Sequence, residues 1–257
     1  MDNGFYIGID LHGTLLNRKE KVEEIFHKPL EDTLKKIKPF AKIFICTGND
    51  LPFVKEVVPE KIFSLLDGCV LETGCVVSEG DKEIVKTSEK MQRLSQELRI
   101  ELENKKFPEV TEFRRRLTTV SLFCNRPADF FKKIDNFVKN SEYGKYFSTT
   151  YSSVAVDVIP KGFDKFVGMK IVAGSGKIIG IADSMNDFEL IEKSDFSFVP
   201  ANCSEQVIDR LKENGKGVKN ILGAGFPIKN TVIKSNFPET EGVIEILEFI
   251  FNNISQF

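Results

Sequence analysis

Two stretches of this sequence have residue types and spacing that could do chemistry: Asp10-Leu11-His12-Gly13-Thr14-Leu15 and, far downstream, Ala182-Asp183-Ser184-Met185-Asn186-Asp187. In an extended backbone residues i and i+2 point to the same side, so Asp10 and His12 can address one pocket. Gly13 and Thr14 offer a tight turn with free backbone donors for a phosphate. Asp183 adds a carboxylate, and two carboxylates at phosphate distance hold Mg²⁺ better than they tolerate each other unpaired. A lone acid at the end of a strand is as readily a turn former or a helix cap. Here Thr47, in Cys46-Thr47-Gly48, ends another apolar run. In an open parallel sheet, ligands bind beyond the carboxyl ends of the strands, and three such ends carrying functional groups point to one phosphoryl-transfer pocket.

The elements needed to bring positions 10, 47 and 183 together are legible as an alternation. Residues 5–10 form an apolar run that ends at an acid, as a buried parallel strand does. Leu30, Leu34 and Ile37 repeat at helical spacing, Pro39 stops them, and residues 41–46 supply the next strand. A helix at 52–58 and a strand region at 64–71 follow, then a hairpin around 78–82. Helix and strand in turn predict an α/β fold with a Rossmann-like parallel sheet. After Val85 the pattern changes: a long helix at 88–105, a strand at 118–123, a helix at 129–138 and one or two strands in 146–159. We read 86–158 as an inserted α+β cap, and 1–85 with 159–257 as the core. Alternation resumes with a helix at 164–172, a strand at 177–182, a helix at 186–191, a strand at 196–199, a helix at 204–211 and a closing helix at 239–251.

Composition excludes some function classes. Lysine and arginine total 36 against 38 acidic residues, a net charge of −2, so no global basic field attracts nucleic acid or an anionic membrane. No apolar run approaches the ~20 residues of a membrane span, and the start of the sequence does not read as a secretion signal. The five cysteines are odd in number, without a Cys-x-x-Cys pair, and sit mostly in apolar runs. Reduced buried thiols and a cytoplasmic protein are expected. Gly174-Ser175-Gly176-Lys177 lacks the first glycine and the final hydroxyl of a phosphate-binding loop and reads as a turn. Arg114-Arg115-Arg116 reads as a solvated edge that discourages strand pairing, in preference to a substrate contact.

The ordered set of motifs resembles a haloacid dehalogenase superfamily phosphatase with a large inserted cap, of the Cof-type and sugar-phosphate phosphatase kind. Asp10 matches the nucleophile, Thr47 with Gly48 the phosphate-binding segment, Lys165 the conserved-position lysine of the third motif, and 182–187 the acidic metal loop. Residues 156–165 resemble the exit from the cap, and Glu72-Thr73-Gly74 the turn before it. The resemblance implies a small phosphorylated substrate and Mg²⁺ as cofactor. Asp10, His12 and Lys165 would be catalytic, and Thr47, Gly48, Lys165 and Asn186 would face the phosphate. Asp10, Asp183 and the backbone carbonyl of His12 would hold the metal, with Asp187 supporting its shell. Asp10 would attack phosphorus to form an aspartyl phosphate that water later cleaves.

One departure concerns the reaction itself. The family's phosphatases have an aspartate at position 12 that protonates the leaving alcohol and activates water, and here it is His12. Imidazole can do both tasks, although a nearby cation disfavours its protonated form. His12 is either an acid and base or a spacer offering only its carbonyl. Beside a phosphohydrolase, a weakly active phosphometabolite-binding protein and a phosphomutase therefore stand as alternatives. Asn49 where relatives have arginine, and Ala182 where they have glycine, remove no reacting group.

Overall fold

The structure is a computed structural model that describes residues 4–114, 116–152, 154–225 and 230–256. The first half of the core runs β1 (Phe5–Asp10), α1 (Glu24–Ile37), β2 (Ala41–Cys46), α2 (Leu51–Val57), α3 (Glu60–Phe63), β3 (Gly68–Leu71), β4 (Val76–Glu79) and β5 (Lys82–Val85). A second unit follows: α4 (Glu89–Asn104), β6 (Val110–Arg114), β7 (Val120–Cys124), α5 (Pro127–Asn140), β8 (Phe147–Tyr151) and β9 (Ala155–Pro160). The chain then returns to the core with α6 (Lys165–Ala173), β10 (Lys177–Ile181), α7 (Phe188–Lys193), β11 (Phe196–Val199), α8 (Glu205–Glu213), β12 (Gly217–Asn220), β13 (Thr231–Lys234) and α9 (Glu239–Asn252).

Nine strands form the core sheet in the order β12-β13-β11-β10-β1-β2-β3-β4-β5. From β12 to β3 every neighbour is parallel, and β3, β4 and β5 pair antiparallel. The chain first builds outward from β1 through β2 and β3, then returns to the other side of β1 with β10. That reversal between β1 and β10 opens a crevice at the carboxyl ends, where open α/β sheets bind ligands. Register makes the ends level: Asp10 lies opposite Cys46, and Ile9 opposite both Ile45 and Ile181.

Strands buried on both faces need apolar side chains on both, and β1 supplies them. Ile7 and Ile9 pack with α1 and α9 residues such as Leu30, Leu34, Val243 and Ile246, while Tyr6 packs on the opposite face with Met169 of α6 and Leu190 of α7. The second unit has its own core, in which Leu98 and Leu102 of α4 and Ile134 and Val138 of α5 cover one face of the antiparallel sheet β6-β7-β9-β8. This is a parallel-sheet core with an inserted α+β cap.

Three strands escape the sequence pattern. β6 (Val-Thr-Glu-Phe-Arg) is a largely polar edge strand, β12 is a four-residue edge strand of largely polar sequence, and β13 has four residues. None is long enough, or regular enough in its apolar positions, to show a period. The expected strand region at 64–71 narrows to Gly68–Leu71, because residues 60–63 form the short helix α3 after Pro59.

Candidate active site

Asp10 is the last residue of β1 and is buried, with its carboxylate oxygen 2.5 Å from Lys165 Nζ, which donates to it. Lys165 opens α6. Asp164 caps that helix by accepting from the Val167 N–H at 2.7 Å, so the lysine is fixed in the first turn and projects back over the strand ends. The helix can come this close because two glycines meet. A Cβ on Gly168 would lie 2.3 Å from Val70, and one on Gly74, whose φ is +90°, would lie 2.1 Å from the Asp164 carbonyl oxygen. Lys165 also forms an ion pair with Asp187, which sits in the short 3-10 turn before α7 and accepts a 2.8 Å hydrogen bond from the Ser184 hydroxyl. Burial pulls the lysine's proton affinity down, but Asp10 and Asp187 more than offset this and hold it well above the ordinary lysine range.

Asp183 follows β10 and completes the cluster. Its backbone carbonyl accepts from the Ser204 N–H at 2.9 Å, and its carboxylate accepts from the Thr14 hydroxyl at 3.2 Å. Gly13, at φ +77°, lets the turn after β1 lie against that carboxylate; a Cβ there would lie 2.5 Å from Asp183 Oδ2. The turn is pinned from outside by Asn202, whose side chain donates to the Gly13 carbonyl at 2.7 Å, and by Thr240, whose hydroxyl donates to the Leu15 carbonyl at 2.7 Å.

Asp10, Asp183 and Asp187 each offer a carboxylate oxygen within 4.8 Å of the others. Desolvation and the two neighbouring carboxylates push Asp183 up to about 8, and desolvation with Asp10 pushes Asp187 up to about 6. Lys165 answers Asp10 and Asp187 and leaves Asp183 with a hydroxyl. An all-oxygen donor set short of positive charge fits a hard divalent cation, and Mg²⁺ is such an ion.

Thr47, one residue beyond β2, is buried at the adjacent strand end. Its hydroxyl oxygen accepts from the backbone N–H and the side-chain amide of Asn49, each at 3.2 Å. Gly48 forms the turn between them. Asn186 is engaged inside its own loop, where its side chain meets the Ser184 hydroxyl that donates to Asp187, so it belongs to the acidic turn. His12 is partly exposed. Its ring stacks on Phe53 at a centroid distance of 5.5 Å, and Nε2 lies 3.5 Å from a Glu20 carboxylate oxygen. Desolvation lowers its proton affinity, Glu20 opposes that, and Lys165 and Arg114 add to it. The imidazole is therefore mostly neutral at pH 7.

Arg114 ends the edge strand β6, but Arg116 is not part of a solvated edge. Arg116 is 4% exposed and forks onto the core, donating to Asp50 at 2.8 Å and to the Asn49 side-chain oxygen at 2.7 Å. The Arg114 guanidinium lies over the rings of Phe53 and Phe123, at 5.2 and 4.3 Å from their centroids. Arg115 lies outside the described residues. Desolvation won in neither case, because each arginine finds a carboxylate, an amide or an aromatic face from another element. Spacing along the sequence gives no sign of those partners.

The middle of the chain answers to a family model. Residues 89–216 match haloacid dehalogenase-like hydrolase, and the described fold agrees with solved structures of that type over almost the whole chain. The chain is similar to haloacid dehalogenase-like hydrolases. One curated relative, phosphoglycolate phosphatase 2 of Saccharolobus solfataricus, is 25% identical over 190 residues, 70% of this chain and 76% of the relative. Thermoplasma acidophilum protein 0175 superposes with a TM-score of 0.67 at 17% identity, covering 96% of this chain and 99% of that one. The sucrose-phosphatase of a Synechocystis species, solved with sucrose and phosphate, gives 0.69 at 14% identity, covering 98% and 99%. Among the described residues, no helix is long and apolar enough to cross a membrane. The five cysteines are free and buried.

Proposed function

We propose that the protein is a Mg²⁺-dependent phosphohydrolase acting on a small phosphorylated metabolite through an aspartyl-phosphate intermediate. The convergence of Asp10, Lys165, Asp183 and Asp187 at the switch point of the sheet carries this reading. Asp10 attacks phosphorus, and the bond from phosphorus to the leaving oxygen breaks; water then displaces the carboxylate from phosphorus, returning Asp10 and releasing phosphate. Lys165 orients Asp10 through its hydrogen bond, and with Thr47 meets the phosphoryl oxygens as charge develops. Mg²⁺ held by Asp10, Asp183 and the His12 carbonyl, with Asp187 behind them, would supply charge that offsets repulsion between carboxylate and phosphate. In this reading His12, stacked on Phe53 and near Glu20, would face the leaving group, and residues 86–158 would serve as the cap.

Small phosphorylated acids and sugar phosphates are the substrate classes to try first. A carboxylate on the substrate would meet Arg114, and the named activity of the Saccharolobus relative makes phosphoglycolate the first compound to test. A second reading, a phosphometabolite-binding protein with little turnover, is favoured by the neutral His12. Phosphate release from a panel of both classes with Mg²⁺, comparing wild type with Asp10→Asn, separates the two. Release that Asp10→Asn abolishes supports the hydrolase. Release that survives the substitution contradicts it, binding without release supports the second reading, and conserved total ester phosphate would identify a mutase.

A further inference from the structure

The direction in which Thr47 can donate is set by Arg116, a residue of the loop between β6 and β7 in the cap. A guanidinium has donors only, so the Asn49 atom facing Arg116 at 2.7 Å must be its oxygen. The other end of the same amide, its NH₂, is thereby turned toward Thr47 and donates to the hydroxyl at 3.2 Å, beside the Asn49 backbone N–H at the same distance. Both lone pairs of the Thr47 oxygen are filled. Its own hydrogen must then be given away, and no acceptor among the described residues is recorded for it. Asn49, Thr47 and Arg116 are all more than nine-tenths buried, so water is a poor competitor for that hydrogen.

We propose that Arg116 is a positioning residue for the phosphate clamp: through Asn49 it holds Thr47 as an obligate donor aimed at the substrate's phosphoryl oxygens. This rests on the reading of Thr47 as a phosphate ligand. The loop that carries Arg116 is itself fastened to the core, because Glu72 accepts from the N–H groups of Leu117, Thr118 and Thr119 at 2.7 to 3.1 Å. Arg116 is held at its other fork by Asp50, which also caps α2 by accepting from the Phe53 N–H. The cap and the core together thus fix one hydroxyl.

Asn49→Asp tests the relay with little change of shape. Aspartate keeps an oxygen for Arg116, in a stronger charged pair, but presents an acceptor to Thr47, whose hydroxyl turns to donate to it and is lost to phosphate. Binding of inorganic phosphate in the presence of Mg²⁺ is measured by calorimetry for wild type, Thr47→Val, Asn49→Asp and the double variant. Thr47→Val is expected to weaken phosphate roughly ten- to a hundredfold. Asn49→Asp should weaken it at least as much, with the melting midpoint held or raised. Adding Thr47→Val to Asn49→Asp should then change affinity by less than about threefold. Arg116→Met, which frees the amide to turn, should fall between wild type and Asn49→Asp. Phosphate affinity unchanged in Asn49→Asp, or a Thr47→Val effect equal in both backgrounds, would overturn the relay and leave the clamp standing. Failure of wild type to bind phosphate, or binding that Thr47→Val leaves unchanged, would overturn the clamp together with the relay.

Discussion

In the proposed reaction His12 stands where the acid and base would act, and its surroundings bias it toward the neutral form. Desolvation outweighs the attraction of Glu20, so its midpoint lies below 6.5 and the imidazole can accept a proton at pH 7 more readily than give one. If leaving-group protonation limits the rate, turnover falls as pH rises through that midpoint. His12→Asp should change turnover at pH 7 by about tenfold or more and move this limb of the pH profile toward lower pH, because a carboxyl ordinarily titrates below an imidazole. A His12→Ala variant with the wild-type rate and profile would reduce the residue to its backbone carbonyl. Gly13 gives a second test at this scale. Its positive φ and the 2.5 Å approach of Asp183 leave no room for a methyl group. Gly13→Ala should lower stability by about 1 kcal/mol or more and weaken Mg²⁺ binding, read by denaturation and by calorimetry. Mg²⁺ affinity equal to wild type would show that this turn does not set the place of Asp183.

The strand ends were legible because each is a local pattern, an apolar run stopped by an acid or a hydroxyl, and β1, β2 and β11 begin and end where their sequence runs do. The junction of cap and core was not, since its partners are far apart in sequence. Glu72 meets residues 117–119 across more than 40 positions, and Arg116 meets Asn49 and Asp50 across more than 60. Glu72 and Thr73 both have positive φ, a strained conformation that the hydrogen bonds to Glu72 sustain. Glu72→Ala removes the acceptor for three backbone N–H groups and should destabilise the protein by roughly 2–4 kcal/mol in denaturant unfolding. A loss under about 1 kcal/mol would mean that water satisfies those groups equally well. On β9, Asp157 keeps some solvent contact, yet desolvation raises its proton affinity despite a 2.6 Å hydrogen bond from the Ser121 hydroxyl and attraction from Arg116 and Lys165. A carboxyl whose folded value lies above its unfolded one stabilises the fold below about pH 3.8, and this is lost as pH rises through the folded value. At pH 7 the charged form therefore opposes folding. Asp157→Asn should raise the melting midpoint at pH 7 and lessen its fall between pH 4 and 7. An unchanged midpoint would show that Asp157 is solvated as at the surface.

At the scale of the molecule, the order of motifs along the chain carried more than any one of them. Asp10, Thr47, Lys165 and Asp183 lie on or just beyond four elements, and only the doubly wound sheet makes them neighbours, with β1 in the middle and β10 returning beside it. The alternation of helix and strand supplied that topology. It could not supply the packing of Gly168 on Gly74 that seats Lys165, nor the aromatic shelf of Phe53 and Phe123 beneath Arg114, because both are contacts between separate elements. Removing divalent cations should abolish turnover reversibly while the fold persists, since the three hydrophobic cores do not involve the acidic cluster. The central claim is that Asp10 takes the phosphoryl group. It is tested by quenching turnover in acid, reducing with borohydride and mapping the peptides, because an aspartyl phosphate is reduced to homoserine. Homoserine at position 10, formed with substrate and Mg²⁺ and absent without either, is the expected result. Steady turnover with Asp10 unmodified, or with the modification at another residue, would contradict it.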